Sequence, residues 1–504
     1  MPELAAAAAW SPHPTATPIT TADGEGSFVT AANGSRTCCG GWQFEYTGIL
    51  PGQSYALSAI ARLDGIEHPR DVLTCTAHWA RLPLDTSAEH VNYSRWDYLL
   101  PESAGGGTLR FARTARAPHG ASVLVIRCTY RWATTGRAVW STPQVAATEE
   151  RVPLRRPVRI AVVTGHARSR PATVPAVRAN VDHYGSLCES ACRAWEPHLI
   201  VLPEVALQWG VRGHPLDLAV AAPGPETETF AQIARQYRVR LVIGMYERDG
   251  DAAYNSAILM APDGTVDGRY RKVHLAMLSE ALSGLRPGTS FPVFATEIGR
   301  IGCNICMDSS AVESARMVGL GGADVLALPI MGDHRADRWT PGPPIFNEER
   351  WRAIMRTRAM DNQLCLAVAR NQAQGSCIVD RKGDILAWNE GDVDSIFAEA
   401  DLDGDFRLWN GGCFRDVNWT QRRPHIYDQF TDPDCGGSLR QRRPPPSCGM
   451  VPVVSEEPGE TVGMAAPAAS MTHIAVAEED SSTLLGRMHT GSMGAAVERS
   501  DGHG

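Results

Sequence analysis

The sequence predicts a layered α/β domain with a β-sandwich in front of it, and three observations carry that prediction. Between Val158 and Arg370, apolar runs of strand length alternate with helix-period segments. That is the pattern of strands and helices stacked in layers, with a sheet at least partly parallel. Before this zone only short strand-like runs occur, separated by Gly- and Pro-containing turns, as a sandwich requires. From about Thr431 the periodicity stops.

Composition agrees with a large folded core. The chain has 504 residues, 43% hydrophobic and 21% charged, which excludes a fibrous or wholly disordered architecture. A net charge of −8 lacks the basic footprint of a dedicated nucleic-acid binder. The apolar run Ala5–Trp10 has no basic start and is shorter than a signal-peptide core. No stretch approaches the roughly 20 apolar residues of a membrane-spanning helix. Thirteen cysteines, an odd number scattered through the chain, leave at least one thiol free and suit a reducing compartment. The expectation is a cytoplasmic protein with no nucleic-acid and no membrane partner.

The sandwich is expected over residues 1–155. Runs such as Ser54–Ile60 and Ala121–Ile126 are bounded by turn signals, Pro51-Gly52 and Gly105-Gly106-Gly107. The phrase from Gly48 to Gly65 resembles the strand-turn-strand of jelly-roll, carbohydrate-binding-like modules. Trp42, Trp79, Trp96, Trp132 and Trp140 lie in this zone; as sandwich residues they are expected in the core, with sugar stacking as the alternative.

The α/β domain is expected over 156–430. A strand at Val158–Val163 leads to a helix carrying Val174, Val177, Val181, Tyr184, Leu187, Ala191 and Trp195 at threes and fours. Strands at Leu199–Leu202, Leu241–Tyr246, Tyr254–Met260, Gly299–Cys306, Asp324–Pro329 and Leu364–Arg370 follow, with helices at Glu226–Tyr237, Ser310–Leu320 and Asn347–Asn362. Residues 431–504 form the expected disordered tail. With ten acids and five bases the tail supplies −5 of the −8, and it cannot bury enough apolar area to offset its ordering entropy.

Three residues carry candidate chemistry. Glu204 follows an apolar strand in LIVLPEVAL, Lys272 lies in GRYRKVHL, and Cys306 ends the apolar run in GRIGCNICMDSS. Ligands bind at the carboxyl edge of open α/β sheets, and a cysteine where a strand runs into a helix has its thiolate stabilised by the helix N-terminus. Taken singly, each is equally a cap or a packed residue. Cys303 and Cys306 also make a CxxC, but a zinc site needs two more ligands and the nearest candidates, Asp308 and His334, have no second motif behind them. Cys303 is expected in the core. A serine hydrolase is disfavoured because no GxSxG occurs, and no phosphate-cradling GxxxxGK[ST] loop supports an ATP-dependent synthase.

Together and in this order, the residues resemble the nitrilase superfamily of carbon–nitrogen hydrolases. The likeness runs from Val158 to Tyr427 through LPEVAL, YNSA, YRKVHL, GCNICMD, GGADVLALP, RAMDN and RRPHIY. It implies a four-layer αββα sandwich, no metal, no organic cofactor and a homo-oligomer. It implies that Cys306 attacks, that Glu204 is the general base, and that Lys272 with the backbone N–H of Met307 stabilises the oxyanion. Glu280, eight residues beyond the lysine, is the implied second glutamate, holding substrate or water. Met307-Asp308 stands where an aromatic is usual, and Val312 where a proline is usual. The resemblance therefore favours a small amide or N-carbamoyl substrate; nitrile hydrolysis and a catalytically silent binding protein are the alternatives. His334 and Arg335, in a long Pro/Gly-rich loop at the same edge, are candidate substrate-binding residues, the arginine through its fork geometry. His274 is expected to brace its strand.

Overall fold

The computed structural model describes residues 1–81, 93–149, 157–165, 174–332, 345–402, 406–408 and 411–432. The predicted tail beyond Asp432, together with His334 and Arg335, lies outside the described residues.

In the N-terminal part ten antiparallel strands form one continuous path folded on itself, and an eleventh, Gln144–Thr148, pairs off it with Ser54–Asp64. The fold line is the strand Tyr93–Gly105. Its first half pairs with Leu73–Ala80 and its second half with Thr108–Arg116. The two halves of the path face each other over one core, in which Phe44, Tyr46 and Trp79 meet Tyr55, Phe111 and Trp140. Tyr55 and Trp79 lie across this core with ring centroids 6.1 Å apart. The apolar N-terminal run belongs to the edge strand Glu3–Trp10. Of the five tryptophans, Trp42, Trp79 and Trp140 are buried. Trp132 is exposed, but the guanidiniums of Arg131 and Arg423 cover its ring at 4.0 and 4.7 Å.

The second part is an αββα sandwich. One sheet has the strand order Val266–Arg271, Ala252–Met260, Arg240–Asp249, Leu199–Val201, Val158–Val163, Ser395–Ala400. The other runs Val293–Thr296, Gly299–Cys303, Val325–Ile330, Cys365–Arg370, Cys377–Val379, Ile385–Trp388. Central strands read as unbroken apolar runs because both faces are buried. Alternate residues serve different layers. Ile160, Val162, Leu199 and Val201 meet Ala327, Ala367 and Ala369 between the sheets. Ala161, Val163, Ile200 and Leu202 turn outward to the helices Val174–Trp195 and Pro225–Tyr237. On the far side Leu326, Leu328, Leu366 and Val368 pack against Val312–Leu320 and Glu348–Asn362. Among the described residues no helix is long and apolar enough to cross a membrane.

The two parts are joined by a segment late in the chain. Arg407 donates to the Asp97 carboxylate at 2.8 Å and to the Trp96 carbonyl at 2.8 Å. Asp416, in the short helix Phe414–Thr420, pairs with Arg113. From the same helix Trp419 lies beneath Arg316 and approaches Gly319 on Val312–Leu320. Asp97 is 1% exposed and also receives the Trp79 indole N–H at 3.1 Å. Burial works against its charge, but Arg113, Arg407 and Arg95 hold it below the ordinary carboxylate range.

Candidate active site

Glu204, Lys272 and Cys306 each stand just past the end of a strand, at one edge of the sandwich. Glu204 follows Leu199–Val201 in a turn that lies flat on the neighbouring strand. A Cβ on Gly244 of that strand would meet the Pro203 carbonyl oxygen at 2.0 Å and the Glu204 Cα at 2.9 Å. Only glycine admits the turn there. The next residue, Val205, is forced to a φ of 44°, a strained value for a β-branched side chain.

Lys272 belongs to a row that crosses three strands. Tyr246 pairs directly with Asn255. Ser256 pairs with Arg271, and the Lys272 amide donates to the Asn255 carbonyl at 2.9 Å, so Asn255 lies opposite Lys272. Directly opposed residues share a face. Tyr246, Asn255 and Lys272 therefore stand side by side, facing the turn that carries Glu204.

The hydrogen bonds around this row can be accounted for atom by atom. Lys272 Nζ donates to Glu204 Oε1 at 2.8 Å and to Glu280 Oε2 at 2.6 Å. Asn255 Nδ2 donates to Glu204 Oε1 at 2.8 Å and to Glu280 Oε1 at 2.6 Å. Glu280, on the short π-turn Met277–Ala281, also receives the Ala276 N–H at 2.7 Å. Glu204 Oε2 receives the Met331 N–H at 2.9 Å, and Asn371 Nδ2 fixes the Glu204 carbonyl at 2.8 Å. An ammonium has three N–H groups, so one on Lys272 has no protein acceptor among the described residues. Burial opposes the lysine's charge, but Glu204, Cys306 and Glu280 outweigh it and hold the ammonium above its ordinary range.

Cys306 does not head an α-helix, contrary to the sequence expectation. It opens a four-residue 3₁₀ turn, Cys306–Ser309, and the α-helix starts only at Val312. Its φ is 42°. So short a turn has little dipole to offer a thiolate. Burial first, and the Glu204 carboxylate second, push the thiol up to about 12 against the opposing pull of Lys272. The resting residue is a thiol, whose Sγ lies 3.3 Å from the Gly332 carbonyl oxygen.

The turn is held by Asp308, which is fully buried. Its carboxylate receives the Ile305 N–H at 2.9 Å, the Tyr270 hydroxyl at 2.6 Å and the His274 N–H at 3.0 Å. His274 Nδ1 lies 2.8 Å from the same carboxylate, and this hydrogen bond raises the imidazole above its ordinary range. Arg358, from the helix Glu348–Asn362, donates to the Ser309 carbonyl at 3.0 Å. The bracing expected of His274 is directed at the nucleophile turn through Asp308.

The structure thus brings Glu204, Glu280, Lys272 and Cys306 to one edge, with Met307 next to the thiol in the turn. Cys303 is fully buried between the sheets, where burial pushes its thiol up to about 12. Asn255, Tyr270 and Arg358 are not singled out by the sequence, and Asp308 is read there only as a remote metal-ligand candidate. Asn255 alone carries a signal, as a polar residue in the largely apolar strand Ala252–Met260. Two cavities lie away from these groups, one of about 480 Å³ beside His68, Asp71 and His425, the other of about 280 Å³ beside Arg269, Arg271 and Arg286. The site is located here by its chemistry.

A family model described as carbon-nitrogen hydrolase matches residues 159–409. The omega-amidase NIT2 of Xenopus tropicalis is 31% identical over 213 residues, covering 40% of this chain and 70% of that protein. The citrullinase of Francisella tularensis is 29% identical over 226 residues, covering 41% of this chain and 75% of that protein. Among solved structures, a carbon-nitrogen hydrolase from Helicobacter pylori superposes with a TM-score of 0.43 at 21% identity, covering 54% of this chain and 97% of that one.

Proposed function

Because the chain belongs to the carbon–nitrogen hydrolase family, we propose that it hydrolyses a small linear amide or N-carbamoyl compound through a thioester on Cys306. The observation that carries this reading is the buried Lys272 ammonium bridging Glu204 and Glu280 at 2.8 and 2.6 Å beside the thiol. In an ordinary ion pair one carboxylate neutralises one cation; here one lone-pair site on Glu204 Oε2 and one ammonium N–H are left for a substrate.

The steps follow from that inventory. As Cys306 Sγ bonds to the amide carbon, its proton passes to Glu204 Oε2 and the C=O π pair moves to oxygen. The free Lys272 N–H and the Met307 N–H receive that oxyanion. Glu204 returns the proton to the leaving nitrogen, and the C–N bond breaks to release ammonia or an amine. Glu204 then takes a proton from water as the water attacks the thioester; the acid leaves, and the proton returns to sulfur. A thiol pushed up to about 12 needs such a base, because it is not ionised beforehand. Glu280 accepts three fixed hydrogen bonds. It orients Lys272 and does not shuttle protons.

The same proposal places the chemistry in 156–430, with 1–155 as an added module. It keeps the expected homo-oligomer, for which the exposed Met317, Leu320 and Met360 on the outer helices offer an apolar face. The eleven described cysteines are all thiols, which suits the expected cytoplasm. Ammonia release across a panel of ω-amides, N-carbamoyl acids and nitriles tests the reading. Amides or carbamoyl compounds should turn over, and Cys306→Ala should abolish release while melting like the parent. Undiminished release from Cys306→Ala would overturn it.

A further inference from the structure

We propose that Asn255 is a positioning residue for this hydrolysis: its one amide nitrogen fixes both glutamates and leaves Glu204 Oε2 as the oxygen that takes the thiol proton. The inference rests on the hydrolytic reading above. Asn255 does not meet the reacting atoms. It acts through the two carboxylates.

The geometry is specific to an asparagine. Asn255 Nδ2 has two N–H groups and spends both on carboxylates, 2.8 Å to Glu204 and 2.6 Å to Glu280. A serine has one donor, and a protonated aspartic acid has one. The amide cannot be turned over, since its oxygen would then face two anions. In the observed orientation Oδ1 is buried with no hydrogen-bond partner among the described residues, and the residue is 1% exposed. An unsatisfied buried acceptor is disfavoured unless something else fixes the group. Here the two carboxylates fix it.

The consequence falls on Glu204. Its Oε1 is occupied by Lys272 and Asn255, and its Oε2 by the single Met331 N–H. A carboxylate oxygen has two lone-pair sites, so Oε2 retains one and Oε1 retains none. When the thiol proton arrives on Oε2 the acid becomes neutral, while Asn255 and Lys272 still hold Oε1. The carboxyl cannot rotate and carry the proton away from the leaving nitrogen. Asn255 also offers the two anions a neutral partner. Its cross-strand seat between Tyr246 and Lys272 sets the position of the amide from both sides.

Asn255→Ala and Asn255→Asp in the full-length chain test this, read by ammonia release against pH. Asn255→Ala should lower kcat about 10–100-fold, by analogy with the loss of hydrogen-bond partners that orient metal-ligating side chains, with KM changed by much less. Asn255→Asp is nearly isosteric, and it places a third carboxylate against two others. That cluster holds an extra proton, which must leave before Glu204 can act, so the acidic limb of kcat/KM should move to higher pH. The thermal midpoint of Asn255→Asp serves as the folding control. If Asn255→Ala does not fold, the pH profile of Asn255→Asp alone decides. Wild-type kcat in Asn255→Ala, or an Asn255→Asp profile that superimposes on the parent after scaling, overturns the proposal. Cys306→Ala separates the two levels. If it is inactive while Asn255→Ala is unimpaired, only this inference fails. If it still releases ammonia, the hydrolytic reading fails first.

Discussion

Tyr270 donates its hydroxyl to Asp308 across 2.6 Å, and this bond ties the strand that leads into Lys272 to the turn that begins with Cys306. His274, two residues beyond Lys272, adds its backbone N–H at 3.0 Å to the same carboxylate, while Met331 and Asn371 of the other sheet hold Glu204. The distance between the cation and the thiol is therefore set in part by polar contacts of a phenol and a histidine with one buried carboxylate.

Removing the acceptor should matter more than removing the donor. Asp308→Ala strands the Ile305 and His274 amides and the Tyr270 hydroxyl, at about 1–3 kcal/mol for each buried group left unpaired. Tyr270→Phe removes one neutral donor and should cost about 1 kcal/mol. Denaturant unfolding measures both, and kcat should fall more in Asp308→Ala than in Tyr270→Phe. Equal losses would show that the carboxylate does not organise the turn.

The two glutamates should separate kinetically. Glu204→Gln removes the only base and should reduce kcat by at least the ~10²–10⁴-fold of a lost general base. Glu280→Gln leaves that base in place and should keep measurable turnover with the pH profile of the parent. Rapid-quench analysis of both half-reactions gives the comparison. A Glu204→Gln enzyme within tenfold of the parent would remove the assigned role.

Alkaline pH should destabilise the fold well before it denatures surface groups. Burial pushes the thiols of Cys303, Cys365 and Cys377 up to about 12 from 9.0. Each native thiol then keeps its proton where the unfolded one has lost it. Stability is present below about pH 9 and drains away as pH rises toward 12, at up to about 1.4 kcal/mol per pH unit for each group. The raised Lys272 acts in the same direction above its ordinary range. Thermal midpoints measured from pH 8 to 11 should fall, and Cys303→Ala should flatten the fall. An unchanged slope in that variant would refute the linkage.

Asp97 is the test of the junction. Asp97→Ala leaves Arg113 and Arg407 facing each other without their shared anion, and breaking a buried ion pair from one side costs about 3–5 kcal/mol. Differential scanning calorimetry should show the parent melting in one transition and the variant in two, or in one at a much lower midpoint. A variant within a degree of the parent would mean that the arginines are solvated in place.

What could be read in the sequence was what local chemistry dictates. The strands Val158–Val163 and Val325–Ile330 announce themselves because both faces are buried. Glu204, Lys272 and Cys306 stand out because strand ends are where polar residues interrupt such runs. Asn255 sits within YNSA, but its meaning depends on register: only the pairing with Tyr246 and Lys272 shows what it faces. Cys306 was expected on a helix because Ser310–Leu320 has helical spacing; the intervening 3₁₀ turn is imposed by Asp308 and Arg358, not by local propensity. Arg407 and Asp97 lie too far apart in the chain for any local pattern to join them.

The charge of the four-residue cluster has a further consequence, for the direction of the reaction. Two carboxylates, one ammonium and a neutral thiol leave the cluster at −1, with Glu204, Lys272 and Glu280 buried. A neutral amide enters without opposition, and a neutral thioester stays. In the proposed hydrolysis the acid forms neutral; once it gives up its own proton to solvent it is an anion beside that surplus charge, where like charges ~5 Å apart repel by about 3 kcal/mol at an effective dielectric of about 20. On the proposed reaction this asymmetry drives the product away from the groups that make it, and carboxylic acids of the substrate's own shape should be poor inhibitors.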